Sequence, residues 1–254
     1  MRRRCAAQTA RPGSDMADAG GGTLTGDALL ISVIIPVFNG ERYVAEALES
    51  ALGQSYRCIE IIVVDDGSTD HSAAVVQRYS PKVRYCHQAN RGIGAARNAG
   101  IDLARGTFFA FLDADDLWPE HKLERQMAAF DRDASLDMVF GHIQQFISPE
   151  LEDDLKKRVR CPAHSEPGRL PGAMLIKRDA FLRVGHFSAA IGEALDWMLR
   201  AQDLGLKGTM VSDIVLKRRL HSTNSVLLHG NVLGEYAKYL KASLDRRRAE
   251  HRTP

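Results

Sequence analysis

The chain has 254 residues, 44% of them apolar and 26% charged, an ordinary globular composition long enough for one large α/β domain or two small ones. Its 34 basic and 32 acidic residues leave a net charge of +2. That excess sits at the start, where Arg2, Arg3, Arg4 and Arg11 face only Asp15 and Asp18, so the remainder is neutral and has no global field for gripping nucleic acid. Cys5, Cys58, Cys86 and Cys161 are scattered without zinc-ligand spacing or a dense disulfide framework, which points to a reducing, cytoplasmic setting. No run approaches the roughly 18–20 apolar residues of a membrane span, so no transmembrane segment is expected. The amino terminus lacks the apolar core of a secretory signal. Residues 1–28 read as a disordered leader, with Met16 an alternative start.

In chain order, Leu29–Val37 is nearly continuous in aliphatic and β-branched residues, the pattern of a strand covered on both faces. The turn Phe38-Asn39-Gly40 comes next. Val44, Ala47, Leu48 and Leu52 then recur at spacings of three and four and predict a helix over Tyr43–Leu52. A second strand is expected at Cys58–Val64, ending in Asp65-Asp66-Gly67-Ser68-Thr69-Asp70, where Thr69 or Asp70 can cap the next helix. A third strand reads at Val83–His87, a third helix at Gly94–Ala104 and a fourth strand at Phe108–Leu112, which stops at Asp113-Ala114-Asp115-Asp116. Strands alternating with helices imply an open, doubly wound, mostly parallel sheet, and such sheets bind ligands at the carboxyl ends of their strands. Asn39, Asp65, Asp66, Asp113 and Asp115 all fall at that rim.

The second half is less regular. A helix at His121–Phe130, a strand at Met138–Phe146, a long loop over Ser148–Pro171 with a charged segment Glu152–Arg160, and a strand at Pro171–Lys177 are expected. Helices at Asp179–Val184 and Glu193–Leu204, an extended segment Val211–His221 and a terminal helix over 231–248 complete the chain. The helix ends in Arg246-Arg247-Arg248, which suits a solvated helix end or contact with an acidic acceptor or membrane surface.

Asp113 and Asp115, one residue apart after an apolar strand, form a hard-oxygen site suited to Mg²⁺ or Mn²⁺, with phosphates and water completing the shell; the alternative is a solvated acidic turn. Asp65 and Asp66 can accept hydrogen bonds from a nucleobase or ribose, or merely open a turn. Within Asn90–Gly100, Gly92 and Gly94 let the backbone approach a ligand closely, and Arg97 either supplies a cation to a phosphate or holds the acidic loop. Arg97 stands where the last glycine of a dinucleotide fingerprint would be, and the segment comes after the third strand rather than the first, so a Rossmann reading is poor.

Four ordered segments, ISVIIPVFNGERYVAEALESALGQSY ending at Tyr56, Glu60–Asp70 (EIIVVDDGSTD), Asn90–Gly100 (NRGIGAARNAG) and Phe111–Trp118 (FLDADDLW), resemble family 2 glycosyltransferases with the GT-A fold. The resemblance implies a nucleotide-diphosphate-sugar donor, most simply a UDP-sugar. It also implies a DxD-bound divalent cation and inverting transfer to an acceptor nucleophile, whether glycan, lipid, peptide or small molecule. It implies one GT-A-like domain over 29–229, with a nucleotide-sugar half at 29–118 and a smaller acceptor half at 119–229, then a helix and tail at 230–254. Carried over by position, Pro36, Phe38 and Glu41 contact the nucleotide, Asp65 or Asp66 reads the base, Gly92 and Arg97 line the nucleotide site, and Asp113 and Asp115 hold metal and diphosphate. Gly172 and Met174 lie on the strand bordering the acceptor, and His221, in the segment closing over the diphosphate, serves as a further metal ligand or is a surface imidazole.

The chain departs from the family at the general base. Counting back from Arg200, the usual aspartate position holds Ala194, which leaves Asp196 as first candidate and Glu193, on the same helix face, as second. No QxxRW segment is present, so a non-processive enzyme is expected. Two rivals remain: a non-catalytic nucleotide-sugar-binding relative, favoured by Ala194, and a phosphotransferase using a DxD aspartate as nucleophile.

Overall fold

The computed structural model describes residues 29–159, 161–188, 192–222 and 232–250. The expected leader and the tail beyond Glu250 lie outside the described residues.

Strands β1 (Ile31–Val37), β2 (Ile59–Asp65), β3 (Val83–His87) and β4 (Phe108–Phe111) are linked through helices α1 (Val44–Leu52), α2 (Ser72–Gln77) and α3 (Ile93–Leu103). They pair in parallel in the order β3-β2-β1-β4. Every residue of β1 is buried, which explains its unbroken apolar run. Alternation reappears in the packing. Ile31, Val33 and Ile35 of β1, Ile61 and Val63 of β2, and Phe108 and Ala110 of β4 face one core, shared with α1 and α4 (Lys122–Arg132). Ile34, Ile62, Val64, Phe109 and Phe111 face the other, shared with α3, α6 (Arg178–Val184) and α7 (Glu193–Asp203). The result is one sheet between two helical layers, an α/β architecture as expected.

Beyond β4 the sheet continues with β7 (Leu175–Lys177), antiparallel to β4, then β5 (Met138–Ile147), antiparallel to β7. β8 (Gly208–Leu220) runs parallel to β5 with register shifts near His142, and the isolated pair Leu117 and Lys217 stitches its end to the segment after β4. Helix α8 (Val232–Glu250) is tied to α7 by Ser243 and Arg246, which both donate to Asp203.

Two expectations need correction. The segment Ser148–Pro171 is not structureless: it holds α5 (Asp153–Arg158) and β6 (Glu166–Gly168), the latter antiparallel to β5. Glu-Pro-Gly has no strand propensity, so pairing with β5 imposes it; a Cβ on Gly168 would lie 2.0 Å from Ile143 Cδ1, so only glycine fits that approach. The expected strand Pro171–Lys177 is a 3₁₀ turn over Pro171–Ala173 and then the shorter β7, because the proline has no N–H and a fixed φ. Among the described residues no helix is long and apolar enough to cross a membrane, and Cys86 and Cys161 are free thiols.

Candidate active site

The direction of strand addition reverses between β1 and β4, and crevices form at the carboxyl ends on either side of such a reversal. There the two loops touch: a Cβ on Gly40 would lie 3.5 Å from Ala114 Cβ, at the centre of the Asp113-Ala114-Asp115 triplet. The loop after β1 is laced onto the loop after β2. Asn39, at φ 49°, accepts from the Thr69 amide at 2.8 Å, Gly40 N donates to Ser72 Oγ at 2.8 Å, and Glu41 accepts from the His71 amide at 2.8 Å. The N-cap of α2 is His71 rather than Thr69 or Asp70; Asp70, one residue earlier, accepts from the Ser72 amide in the first turn and also from Glu41 N. Pro36 is buried inside β1, whereas Phe38 is 53% exposed and presents a bare ring at the rim.

Asp65 and Asp66 are both buried and both already engaged. Asp65 accepts from Ser68 N at 2.7 Å and from the Tyr85 hydroxyl at 2.7 Å; burial, reinforced by that carboxylate, raises the Tyr85 pKa. Asp66 accepts from Gln88 Nε2 at 2.7 Å, Arg91 N at 3.0 Å and Gly92 N at 2.8 Å. It therefore anchors the start of α3, whose N-cap Gly92 has φ 87°, a conformation glycine adopts without strain.

Arg97 on α3 is the centre of the next layer. It is 3% exposed, donates to Asp113 Oδ1 at 2.7 Å and to Glu193 Oε1 at 2.6 Å, and lies over the Phe187 ring at 5.6 Å. Burial works against its charge, but the Asp113 and Glu193 carboxylates outweigh that and raise its pKa. The approach is close because position 94 is glycine: a Cβ there would sit 2.3 Å from the Ser188 carbonyl oxygen. Asp196, the first candidate for the base, instead turns to Arg200 at 3.0 Å, and Arg200 also holds the Val184 and His186 carbonyls. Of the two candidate bases, only Glu193 is joined to the acidic loop.

On the other side of the triplet, Asp115 Oδ2 and His221 Nε2 are 2.8 Å apart, and the His221 ring lies 4.7 Å from that of Tyr43. Asp116 is buried and accepts from Arg219 N at 2.9 Å; burial, then the charges of Asp115 and Asp113, push its pKa well above the usual carboxylate range. Tyr43 donates to Glu150, and the Glu150 carboxyl, near the Ser148 hydroxyl and bonded by that of Tyr43, is lowered to about 2. Gly172 and Met174 are buried rather than open to an acceptor: the Gly172 carbonyl accepts from Trp118 Nε1 at 3.1 Å, and the Met174 carbonyl faces Lys122 Nζ at 3.5 Å.

The donor set bears on a divalent cation. Carboxylate oxygen suits Mg²⁺ or Mn²⁺ and an added imidazole nitrogen favours Mn²⁺ of the two, and a 2.8 Å separation is close to that of neighbouring ligands in an octahedron of about 2.1 Å bonds. Asp113, paired to Arg97, is not gathered with Asp115 and His221, and no group of three or more ligating side chains converges among the described residues. Such a site matches cations held by one or two protein ligands plus substrate phosphates and water.

Sequence reasoning passed over Arg219, Tyr43, Glu46 and Glu150, which surround the triplet from distant parts of the chain. The pairing of Arg219 with Glu46 spans 173 residues, and no local pattern announces it.

An α/β sheet of this topology with acidic loops at its reversal point is the framework of GT-A transferases. The family model for glycosyl transferase family 2 matches residues 32–196, and the chain belongs to that family. A protein of Rickettsia typhi named an uncharacterized glycosyltransferase is 30% identical over 219 residues, covering 82% of this chain and 69% of the relative. One of the same description from Nostoc is 49% identical over 140 residues, covering 49% and 44%. The chain spans 34% of a further relative, from Rickettsia felis. Among solved structures, residues 1–349 of S. aureus TarS in complex with UDP-GlcNAc align with a TM-score of 0.67 at 21% identity, covering 85% of this chain and 66% of that one. The UDP complex of TarS aligns with a TM-score of 0.64 at 21% identity, covering 84% and 64%. At this identity the likeness establishes the shared fold. Family membership leaves the phosphotransferase alternative without support.

Proposed function

We propose that the protein transfers a sugar from a UDP-sugar to an acceptor nucleophile, with inversion and without processive extension, assisted by Mg²⁺ or Mn²⁺. The observation that carries this reading is the meeting of the β1, β2 and β4 loops at the sheet's reversal point, where Asp115 faces His221 and Asp113 is joined through Arg97 to Glu193. The solved UDP and UDP-GlcNAc complexes of a protein with this fold support the donor class. A cytoplasmic setting is part of the proposal, supported by the free thiols of Cys86 and Cys161.

On this reading Phe38 offers its exposed ring to the base. Asp65 and Asp66 act through the loops they fasten, with lone pairs left over for a ribose or base donor. Asp115 and His221 would hold the cation, with Asp113, paired to Arg97, bordering the diphosphate beside them; the cation, when bound, would neutralise the leaving group. Glu193 takes the acceptor proton as the acceptor oxygen bonds to the anomeric carbon and the bond from that carbon to the phosphate oxygen breaks, releasing the nucleoside diphosphate. Arg97 fixes the Glu193 carboxylate and keeps it beside the acidic loop.

The test compares Glu193→Gln with Asp196→Asn in a nucleotide-release assay. Removing a general base costs typically about 10²–10⁴-fold, so Glu193→Gln should fall by that factor while Asp196→Asn keeps its turnover. Full activity in both removes this helix from the chemistry. Ala194 favours a second reading, a nucleotide-sugar-binding protein without turnover; tight UDP-sugar binding with no release across a broad acceptor panel would establish it.

A further inference from the structure

Arg219 takes no step in the reaction above, yet all its contacts surround the acidic loop. It is 4% exposed at the end of β8. Its backbone N–H donates to Asp116 Oδ1 at 2.9 Å, its Nε donates to the Asp115 carbonyl at 3.0 Å, and its terminal nitrogen meets Glu46 Oε2 on α1 at 2.7 Å. The guanidinium lies 4.9 Å from the Tyr43 ring and 4.8 Å from that of Phe146. One residue thus fastens both the Asp115 main chain and the Asp116 side chain. Two residues further on, the same strand delivers His221 to the Asp115 carboxylate, where its ring also packs against Tyr43.

We propose that Arg219 is a positioning residue for the divalent-cation site: it locks the Asp115–Asp116 segment to α1 so that the Asp115 carboxylate and His221 meet before any ligand arrives. The inference rests on the reading of Asp115 and His221 as cation ligands. A clamp on this segment explains the geometry better than direct contact with phosphate, because the guanidinium is buried, with Nε on the Asp115 carbonyl and one terminal nitrogen on Glu46. It also explains the residue type. The planar fork can reach a carbonyl and a carboxylate in fixed directions while packing against two rings, whereas the lysine ammonium is a point charge.

The experiment measures Mn²⁺ binding in the presence of UDP, by the electron-paramagnetic-resonance signal of free Mn²⁺, for wild type, Arg219→Lys, Arg219→Met and Asp115→Asn. UDP binding in EDTA is measured alongside, with circular dichroism as the check on folding. Groups that orient metal ligands typically cost about 10–100-fold in metal affinity when removed, and Arg219→Met should weaken Mn²⁺ by that factor while UDP binding in EDTA stays at the wild-type level. Arg219→Lys, which keeps the charge but not the fork, should weaken it too. If Arg219→Met and Arg219→Lys bind Mn²⁺ like wild type while Asp115→Asn does not, the positioning role is overturned and the cation site stands. If wild type binds no Mn²⁺ with UDP, the cation site itself fails and the inference falls with it. Loss of UDP binding in EDTA together with Mn²⁺ would also overturn it, by assigning Arg219 to the nucleotide. Should Arg219→Met not fold, Glu46→Gln, which removes the guanidinium's other anchor, should weaken Mn²⁺ in the same direction, and an unchanged affinity would count against the clamp.

Discussion

Replacing Arg97 with methionine removes a buried cation from between two carboxylates. Its side chain is 3% exposed, that of Glu193 12% and that of Asp113 34%, so Glu193 is the partner left in the drier place. Breaking a buried ion pair by deleting one member costs about 3–5 kcal/mol, and the exposure of Asp113 to screening places the expected loss near the bottom of that range, about 3 kcal/mol. With a urea dependence of about 1–3 kcal/mol per molar, the unfolding midpoint should fall by about 1 M or more. Adding Glu193→Gln to Arg97→Met should recover part of the loss, because the amide is not left as an unpaired charge. The coupling between the two changes should be about 1.5–3 kcal/mol, the worth of a hydrogen bond to a charged group. Urea titrations monitored by circular dichroism on the two single variants and the double variant measure it. An Arg97→Met midpoint equal to wild type, or strictly additive changes, would refute the view that Arg97 is the tie between the acidic loop and α7.

Buried and paired groups give two further expected outcomes. Lys122 is 1% exposed, held by Gln126 Oε1 at 2.7 Å and lying 4.3 Å from the Trp118 ring, and burial keeps its pKa well below 10.5. Between its folded pKa and 10.5 the unfolded chain binds a proton that the fold does not, so stability rises with pH across that interval, by at most about 1.4 kcal/mol per unit. Lys122→Met should flatten that rise in urea midpoints taken at successive pH values up to 10.5, and a parallel rise in both proteins would contradict the burial argument. Glu150, lowered to about 2 from 4.5, contributes stability that is complete above pH 4.5 and lost as the pH falls toward 2. The stability difference between wild type and Tyr43→Phe should accordingly be constant from pH 6 to 5 and shrink below that; a difference that grows in acid would show the Tyr43–Glu150 bond is not its source.

Much of the nucleotide half was legible because chemistry and secondary structure change at nearly the same residues. The apolar run through β1 gives way to Asn39 and Gly40, and the run through β4 gives way to Asp113, so strand ends and candidate ligands announced themselves together. β3 fell on the residues expected for it, and the alternation of strands and helices sufficed for a parallel sheet once crossovers were required. The acceptor half was harder for an equally physical reason. β6 consists of Glu-Pro-Gly and is a strand only because β5 offers its edge, and α5 is a charged helix of six residues supported by exposed pairs such as Asp153 with Lys156. Within the site, residue types were readable but partners were not: Asp65 and Asp66 look like ligands in sequence, and only the fold shows that Tyr85, Gln88 and the amides of Arg91 and Gly92 already hold them. The same holds for the choice between Glu193 and Asp196. Both share a helix face at the start of α7, and what separates them is Arg97, reached from almost a hundred residues away in sequence, against Arg200 one turn along.

Binding of a UDP-sugar through a divalent cation, where the β1 and β4 loops meet, is the central claim. Its most direct test is the thermal unfolding temperature in the presence of UDP-, GDP- and dTDP-sugars, each with Mn²⁺ and with EDTA, for wild type and Asp115→Asn, since a ligand that binds the native state stabilises it by mass action. A rise for UDP-sugars that requires Mn²⁺ and disappears in Asp115→Asn is the predicted result. Stabilisation by no nucleotide sugar, or the same stabilisation in EDTA and in Asp115→Asn as in wild type with Mn²⁺, would contradict it.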